Sequence, residues 1–160
     1  MLPYFQDENN WATFKQIALS QVGVKFQHAC MIKDRAFDCS TFIGWCLLEA
    51  KLIKEVKYEF YQSTWYVCNP MLMYETIKNH LYSNLVEGLE IKEISIEEEP
   101  MRGDIALIYT YRKGIPNHAA LVLDNNEFIH CRWHGGVEVG QYNLSWAKDK
   151  TTNLYRIMRS

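Results

Sequence analysis

The sequence lacks both an excess of positive charge and a long apolar run. Its 17 Lys and Arg residues are balanced by 19 Asp and Glu residues, which gives a formal net charge of −2 at pH 7. Because nucleic-acid binding depends on clustered positive charge, the sequence predicts a protein that does not bind nucleic acid. No stretch approaches the about 18 apolar residues that a membrane-spanning helix needs, so no membrane span is predicted.

The five cysteines lack the even count and the regular spacing of a disulfide framework. The segment Met1–Glu8 also lacks the basic patch and the apolar core of a secretory signal peptide. These absences favour reduced thiols and synthesis in the cytoplasm. Export by a route without a cleaved signal stays open.

A length of 160 residues, with 48% hydrophobic residues, predicts a single domain over residues 1–160. Apolar residues at helical spacing predict three helices, over about Asn10–Val22 (capped by Asn9 or Asn10), Asp38–Lys51 and Met71–His80. Short apolar runs predict six strands, at Leu89–Ile94, Asp104–Tyr111, His118–Leu123, Glu127–Arg132, near Val137–Val139 and at Asn153–Met158. Helices followed by a mostly antiparallel sheet form the α+β pattern.

Two longer connections separate these elements. Residues 23–37 have mixed polarity and are interpreted as a loop that leads to Cys39. Residues 53–68 are rich in aromatic side chains, including Trp65. A connection of that length is often functional, and a flap that covers the core is the alternative interpretation.

Cys39 stands where a polar loop changes into an apolar stretch at helical spacing. A helix N-terminus presents unpaired N–H groups and the positive end of the helix dipole, and both favour a thiolate. The position therefore predicts a reactive thiol with a lowered pKa. Cys39 also begins the apolar stripe of the helix, so a small buried core residue is the alternative.

Two histidines follow far downstream, on two predicted strands. If Asp124–Asn126 is a three-residue hairpin loop, His130 lies opposite Ala120, and His118 is its diagonal neighbour on the same face, roughly 7–8 Å away between backbones. A two-residue loop would instead place the histidines on opposite faces. Asn126 suits the left-handed conformation that the last position of such a loop requires.

A cysteine hydrolase needs a base within about 3 Å of the sulfur and a third group that holds the base in the correct tautomer. His118 as base and His130 as orienting residue meet this need if the sheet packs on the N-terminus of the Cys39 helix. The backbone N–H of Cys39 would then serve a developing oxyanion.

Other interpretations of these residues stay open. Each histidine could be a buried core residue whose ring nitrogens are hydrogen-bonded. A zinc site is a further alternative, because His130, Cys131 and His134 are close in sequence. Residues 130 and 131 point to opposite faces of a strand, however, and no Cys-x-x-Cys pair accompanies them, so no metal site is predicted. The cysteines without a motif are interpreted as structural: Cys30, Cys46, Cys68 and Cys131.

Together these segments resemble the NlpC family of papain-like cysteine peptidases, which cut the peptide stems of bacterial peptidoglycan. The resemblance extends over residues from about 10 to 140. Four motifs occur in the family's order: Asp38-Cys39-Ser40 before an apolar helix, Arg102-Gly103-Asp104-Ile105-Ala106-Leu107, His118-Ala119-Ala120-Leu121-Val122-Leu123 and Glu127-Phe128-Ile129-His130.

The resemblance implies a papain-like α+β domain in which N-terminal helices pack on a mostly antiparallel half-barrel sheet. It implies that Cys39 is the nucleophile, His118 the general base and His130 the orienting residue. The implied reaction is hydrolysis of amide bonds in peptidoglycan stem peptides through a thioester acyl-enzyme, without a cofactor or metal.

Six residues near these motifs are predicted to contact the substrate: Phe26, His28, Asp38, Ser40, Trp65 and Trp133. Many family members carry a Tyr ahead of the cysteine, and Phe26 cannot supply that hydroxyl. Gln27 or His28 is the candidate polar group in its place. Thr41 stands where the family usually has Gly.

Two other functions remain open for this scaffold. One is a papain-like thiol acyltransferase or lipid amidase, although relatives with that chemistry often place the histidine ahead of the cysteine. The other is a non-enzymatic structural module. The similarity to stand-alone versions carried by phages also predicts association with a phage-like particle that delivers the protein to the cell wall.

Overall fold

The computed structural model describes residues 1–55, 78–142 and 146–160. The helices in these ranges are α1 (Glu8–Leu19), α2 (Cys39–Glu49), a helical segment at 78–84, a single turn at Trp146–Asp149 and a 3₁₀ turn at Tyr4–Gln6. The strands in these ranges are β1 (Leu2–Pro3), β2 (Lys25–Phe26), β3 (Met31–Ile32), β4 (Ala36–Phe37), β5 (Leu89–Ile94), β6 (Ile105–Ile108), β7 (His118–Val122), β8 (Glu127–Arg132), β9 (Gly136–Gln141) and β10 (Thr151–Arg159). The predicted α+β class is confirmed.

Helix α1 lies earlier in the chain than predicted. The side chain of Asp7 accepts a hydrogen bond from the backbone N–H of Asn10 at 2.9 Å, so Asp7 is the cap and the helix begins at Glu8. The predicted caps, Asn9 and Asn10, lie inside the helix, and that prediction is wrong. The predicted end at Val22 is also wrong, because the helix stops at Leu19.

Helix α2 begins at Cys39 because Asp38 and Thr41 form a capping box. The Asp38 carboxylate accepts from the Thr41 N–H at 2.8 Å, and the Thr41 hydroxyl accepts from the Asp38 N–H at 2.8 Å. Residues 39–47 are all buried, as expected for a helix with a widened apolar stripe. The helix ends at Glu49, two residues before the predicted end, and Lys51 has a positive φ of 62°.

The larger sheet has the strand order β1-β10-β6-β7-β8-β9, with β5 also paired to β10, and its pairings are antiparallel. Helix α2 packs on β7 and β8. Along β7, Ala119 and Leu121 belong to the core under α2, whereas Ala120 and Val122 belong to a second core on the other face. The sheet is therefore buried on both faces where it meets α2.

Residues 23–37 were predicted as a loop, and they instead contain three two-residue strands. In this small sheet β4 lies between β2 and β3, parallel to β2 and antiparallel to β3. Pairs this short leave no periodic signal in the sequence, because tertiary contacts stabilise them. The sheet holds the segment ahead of Cys39 against α2.

Several strand boundaries also differ from the prediction. The predicted bounds of β5 and β8 are confirmed. Strand β6 is shorter than predicted, since it begins after Asp104 and ends at Ile108. Strand β7 ends one residue early, at Val122. Strands β9 and β10 are longer than predicted. All six residues of β8 pair with β9, and all six residues of β5 pair with β10.

Asp104 forms a buried ion pair at the start of β6. Its two carboxylate oxygens accept from Arg156 Nε and Nη2, both at 2.8 Å, and Oδ2 also accepts from the Met101 N–H at 2.8 Å. The preceding Gly103 has a φ of +86°, and a Cβ at that position would lie 2.1 Å from the Phe5 ring. The Arg-Gly-Asp motif therefore has a structural role: it fixes the strand that pairs with β7.

The third predicted helix, Met71–His80, lies mostly outside the described residues. The described part continues to residue 84, beyond the predicted end at His80. The aromatic connection at 53–68 also lies almost entirely outside the described residues. In the ranges that the structure covers, no helix is both long and apolar enough to span a membrane.

Candidate active site

The hairpin between β7 and β8 has the predicted odd-length loop. Leu121 pairs with Ile129, and the Leu123 N–H donates to the Glu127 carbonyl at 2.8 Å, which leaves a three-residue loop at Asp124–Asn126. Asn126 has a φ of 61°, the left-handed conformation predicted for the last loop position. The hairpin register therefore places His118 and His130 on one face.

Helix α1 holds this loop in place through Asp124. The Asp124 carboxylate accepts from Trp11 Nε1 at 3.0 Å and pairs with Lys15 Nζ at 2.7 Å. The hydrogen bond from Lys15 lowers the pKa of the Asp124 carboxyl. A long-range contact to α1 thus supports the position of both histidines.

The two histidine rings form a direct hydrogen bond. His118 Nε2 lies 2.7 Å from His130 Nδ1, and the rings meet edge to face with centroids 4.9 Å apart. Both residues are buried, with exposures of 9% for His118 and 2% for His130. The predicted diagonal contact is confirmed.

An open cleft of roughly 560 Å³ brings these histidines together with Cys39. We call it the Cys39 cleft, and its lining residues are Phe26, His28, Cys39, Thr110, Tyr111, Asn117, His118, His130, Arg132 and Trp133. Helix α2, which begins at Cys39, packs on β7, which begins at His118. The residues predicted as nucleophile, base and orienting residue therefore line the same substrate-sized space.

The Cys39 thiol is buried, and this overturns the prediction of a lowered pKa. Burial raises the pKa of the thiol well above its ordinary value, and the neighbouring Asp38 carboxylate raises it further. Hydrogen bonds from the backbone N–H groups of Ala119 and Ser40 act in the opposite direction and do not compensate. Burial therefore favours the protonated thiol over the thiolate.

Burial also lowers the pKa of both histidines. For His118 the neighbouring His130 adds to the effect of burial, and for His130 the positive charge of Arg132 does so. Both imidazoles are therefore neutral at pH 7. A neutral imidazole beside a protonated thiol is the protonation state required for general-base activation of the sulfur.

We expect Cys39 to react slowly with iodoacetamide at neutral pH, because the thiolate is the reactive form and a raised pKa reduces its fraction. The rate should increase with pH up to the highest pH at which the fold persists. The partly exposed Cys30 serves as the internal control. Peptide mapping by mass spectrometry over a pH series measures both rates, and faster labelling of Cys39 than of Cys30 at pH 6 would contradict the expectation.

Glu138, which the sequence analysis did not single out, completes the site. It lies on β9 directly opposite His130, and its Oε1 is 3.0 Å from His130 Nε2 and 2.9 Å from Arg132 Nε. A three-residue turn at 133–135 sets this register, with the Gly135 N–H bonded to the Arg132 carbonyl. The Gly135-Gly136 pair was the available signal for such a hairpin.

Three of the predicted substrate contacts line the Cys39 cleft: Phe26, His28 and Trp133. Phe26 and His28 meet edge to face with ring centroids 5.0 Å apart. Trp133 is 65% exposed and stacks on His134. Trp65 lies outside the described residues.

Asp38 and Ser40, also predicted as substrate contacts, lie beneath the cleft and do not line it. Both are fully buried, and the Ser40 hydroxyl donates to the Asp38 carboxylate at 3.1 Å. Asp38 Oδ2 also accepts from the Ala29 N–H at 2.9 Å, next to His28. Their contacts support the helix start and the loop that presents His28, which is a structural role.

The zinc alternative does not agree with the geometry. Cys131 lies under α2, where its thiol donates to the Phe37 carbonyl at 3.2 Å, whereas His130 faces the Cys39 cleft. Within the described ranges, no three His, Cys, Asp or Glu side chains form a group that could hold a metal ion.

Comparison with known proteins identifies the family to which this chain belongs. The model of the NlpC/P60 family matches residues 23–156. A comparison with curated proteins finds no significant match.

The fold is similar to that of several solved structures. An NLP/P60 family protein of Staphylococcus aureus, described as similar to lipoprotein, aligns with 20% identity and a TM-score of 0.61 over 96% of this chain and 43% of that chain. The NlpC/p60 domain of the peptidoglycan hydrolase SagA aligns with 18% identity and a TM-score of 0.57 over 90% of this chain and 96% of that chain. An NlpC/P60 family protein of Bacillus cereus aligns with 15% identity and a TM-score of 0.60 over 90% of this chain and 39% of that chain.

The chain thus spans less than half the length of the staphylococcal and Bacillus structures and nearly all of the SagA domain. These similarities confirm the predicted papain-like α+β fold. Since the family model matches most of the chain, the protein belongs to the NlpC/P60 family.

Proposed function

We propose that this protein is a cysteine hydrolase that cuts amide bonds in the stem peptides of peptidoglycan. The observation that supports this most directly is the Cys39 cleft, which is lined both by the buried Cys39 thiol and by the hydrogen-bonded pair of His118 and His130. Membership of the NlpC/P60 family and the similarity to the domain of a peptidoglycan hydrolase support the substrate class.

In the first step, the Cys39 sulfur attacks the carbonyl carbon of the substrate amide while His118 takes the thiol proton. The carbon–sulfur bond forms, and the electron pair of the carbonyl moves to its oxygen. As the first residue of α2, Cys39 has a backbone N–H without an intrahelical partner, and this group donates to the developing oxyanion. His118 as base and His130 as orienting residue act as a unit.

In the second step, the carbon–nitrogen bond breaks and His118 returns the proton to the leaving amine. A thioester between Cys39 and the acyl fragment remains. Water, with its proton taken by His118, then attacks the thioester and releases the acid and the free thiol. No step requires a cofactor or a metal.

The walls of the cleft suit a peptide that carries a carboxylate. Phe26, Tyr111 and Trp133 offer apolar surfaces, and Arg132 is 54% exposed in the same cleft. A guanidinium can form bidentate hydrogen bonds with a carboxylate, which stem peptides contain. His28 supplies a further polar group on the side of the missing Tyr hydroxyl.

Digestion of purified muropeptides, followed by mass spectrometry, tests the proposal. We expect two product fragments whose masses together exceed the parent mass by one water, with a new amine at the cut. A parallel arm with acyl esters and N-acyl lipids separates the alternatives. Intact muropeptides with cleaved acyl esters would contradict the peptidase proposal, and no turnover in either arm would indicate a non-enzymatic module.

A second candidate function, acyl transfer or lipid amide hydrolysis, has one observation in its favour. The lining of the Cys39 cleft is mainly apolar, with three aromatic side chains around the thiol: Phe26, Tyr111 and Trp133. Such walls also suit an acyl chain. Synthesis in the cytoplasm and association with a phage-like particle stay predictions.

A further inference from the structure

Glu138 occupies one end of a chain of hydrogen bonds that runs through His130 to His118. Its Oε1 is 3.0 Å from His130 Nε2, and His130 Nδ1 is in turn 2.7 Å from His118 Nε2. Arg132 Nε lies 2.9 Å from the same Glu138 oxygen, so the carboxylate is held between an imidazole and a guanidinium. The Glu138 side chain is 39% exposed, whereas His130 is 2% exposed.

The chemistry of these groups fixes the direction of each hydrogen bond. An ionised carboxylate can only accept, so His130 Nε2 must carry a hydrogen. A neutral His130 then has a lone pair on Nδ1, and His118 Nε2 must donate to it. This leaves the lone pair of His118 on Nδ1, the ring nitrogen that does not take part in the histidine pair.

A pair of neutral histidines does not specify this direction by itself. The reversed arrangement, in which His130 Nδ1–H donates to His118 Nε2, forms an equally good hydrogen bond. It would place a hydrogen on His118 Nδ1, and His118 could not then accept the thiol proton of Cys39. A group that can only accept, placed at the Nε2 side of His130, favours one of these two hydrogen-bond directions over the other.

We propose that Glu138 is a positioning residue that sets the tautomers of both His130 and His118, so that His118 presents an unprotonated Nδ1 to Cys39. Arg132 supports this role, since its guanidinium pairs with the same carboxylate oxygen and holds it beside His130. The catalytic consequence rests on the function proposed above. The tautomers themselves do not, and they can be measured without a substrate.

Three substitutions at one position separate the donor and acceptor properties of the side chain. Glu138→Gln keeps an oxygen that can accept from both His130 and Arg132, so we expect the wild-type tautomers. Glu138→Leu offers neither donor nor acceptor, and we expect a mixture of tautomers. Glu138→Lys can only donate, and we expect both rings to reverse to the Nδ1–H form. Glu127→Leu removes a carboxylate from the opposite end of the same strand pair and is the control.

The measurement is a two-bond ¹H–¹⁵N correlation spectrum of the full-length protein with ¹⁵N-labelled histidine at pH 7. The variants His118→Gln and His130→Gln assign the two rings. We expect both rings as the Nε2–H tautomer in the wild type, in Glu138→Gln and in the Glu127→Leu control. On a cleaved substrate, kcat should fall about a hundredfold or more in Glu138→Lys with little change in KM, because a wrong tautomer affects the chemical step.

The outcomes separate this proposal from the proposed function. Wild-type tautomers in both Glu138→Leu and Glu138→Lys would overturn the positioning role, whether or not the protein cuts muropeptides. Shifted tautomers in a protein that cuts no muropeptide would support the positioning role and contradict the proposed function. A Glu138→Gln spectrum that differs from the wild type at both rings would also overturn the proposal, since an acceptor is retained there.

Discussion

Replacement of Cys39 with Ala is expected to abolish hydrolysis, with a loss of about 10⁴-fold or more in kcat. In the proposed mechanism the thiol forms the covalent bond to the acyl fragment, and among the described residues that line the Cys39 cleft no other side chain offers a comparable nucleophile. The fold should persist, because the exchange removes one buried sulfur atom at the first residue of α2. Turnover of muropeptides measures the loss, and circular dichroism checks the fold.

Cys46→Ala is the matched control for this experiment. Cys46 lies on the same helix and is fully buried, and it does not line the Cys39 cleft. Its replacement creates a cavity of the same size at a cost of about 1 kcal/mol, and activity should remain. Equal activity in the Cys39 and Cys46 variants would show that the thiol of Cys39 is not the nucleophile.

The sequence predicted the arrangement of the histidines because that arrangement depends on local rules. A three-residue loop at Asp124–Asn126 fixes which side chains share a face, and the left-handed Asn126 is readable from the residue type. The start of α2 was equally readable, since Asp38 precedes an apolar helix and caps it. These two local features place the three residues of the proposed triad on adjoining elements.

The sequence did not predict the features that depend on tertiary packing. The pKa of Cys39 was expected to be lowered by the helix dipole, but burial under the sheet and the Asp38 carboxylate determine its direction. Glu138 was missed because its contact with His130 requires the register between β8 and β9. The strands within residues 23–37 were missed because their partners lie outside any local period.

The N-cap of α1 was predicted wrongly because several neighbouring residues are suitable caps. Asp7, Asn9 and Asn10 are all good N-cap residues, and the apolar period alone does not distinguish them. Asp7 caps the helix in the structure. The earlier start also carries Glu8 into the first turn, where its carboxylate pairs with Arg102 at 2.8 Å. That pair joins α1 to the turn that leads into β6.

Replacement of Arg156 with Met is expected to lower the free energy of unfolding by about 3–5 kcal/mol at pH 7. Asp104 is fully buried and both of its carboxylate oxygens accept from Arg156, so the variant leaves a buried charge without its partner. Urea denaturation followed by tryptophan fluorescence measures the change. The loss of stability should also affect the Cys39 cleft, since Asp104 directly precedes β6, the strand that pairs with β7.

The pH dependence of this loss identifies its cause. Burial already raises the pKa of the Asp104 carboxyl in the wild type, and removal of Arg156 raises it further. A carboxyl whose folded pKa lies above its unfolded pKa destabilises the fold at higher pH, and the penalty shrinks as pH falls and the group protonates. The gap between wild type and Arg156→Met should therefore narrow from pH 7 toward pH 5.

The double variant Asp104→Asn with Arg156→Met is the control for this argument. Asn keeps a carbonyl oxygen that can accept from the Met101 N–H, and it carries no charge. We expect the double variant to be more stable than Arg156→Met alone at pH 7, and its difference from the wild type should change less with pH than that of Arg156→Met. A double variant no more stable than the single one would show that lost packing of the Arg156 side chain, rather than the unpaired carboxylate, causes the destabilisation.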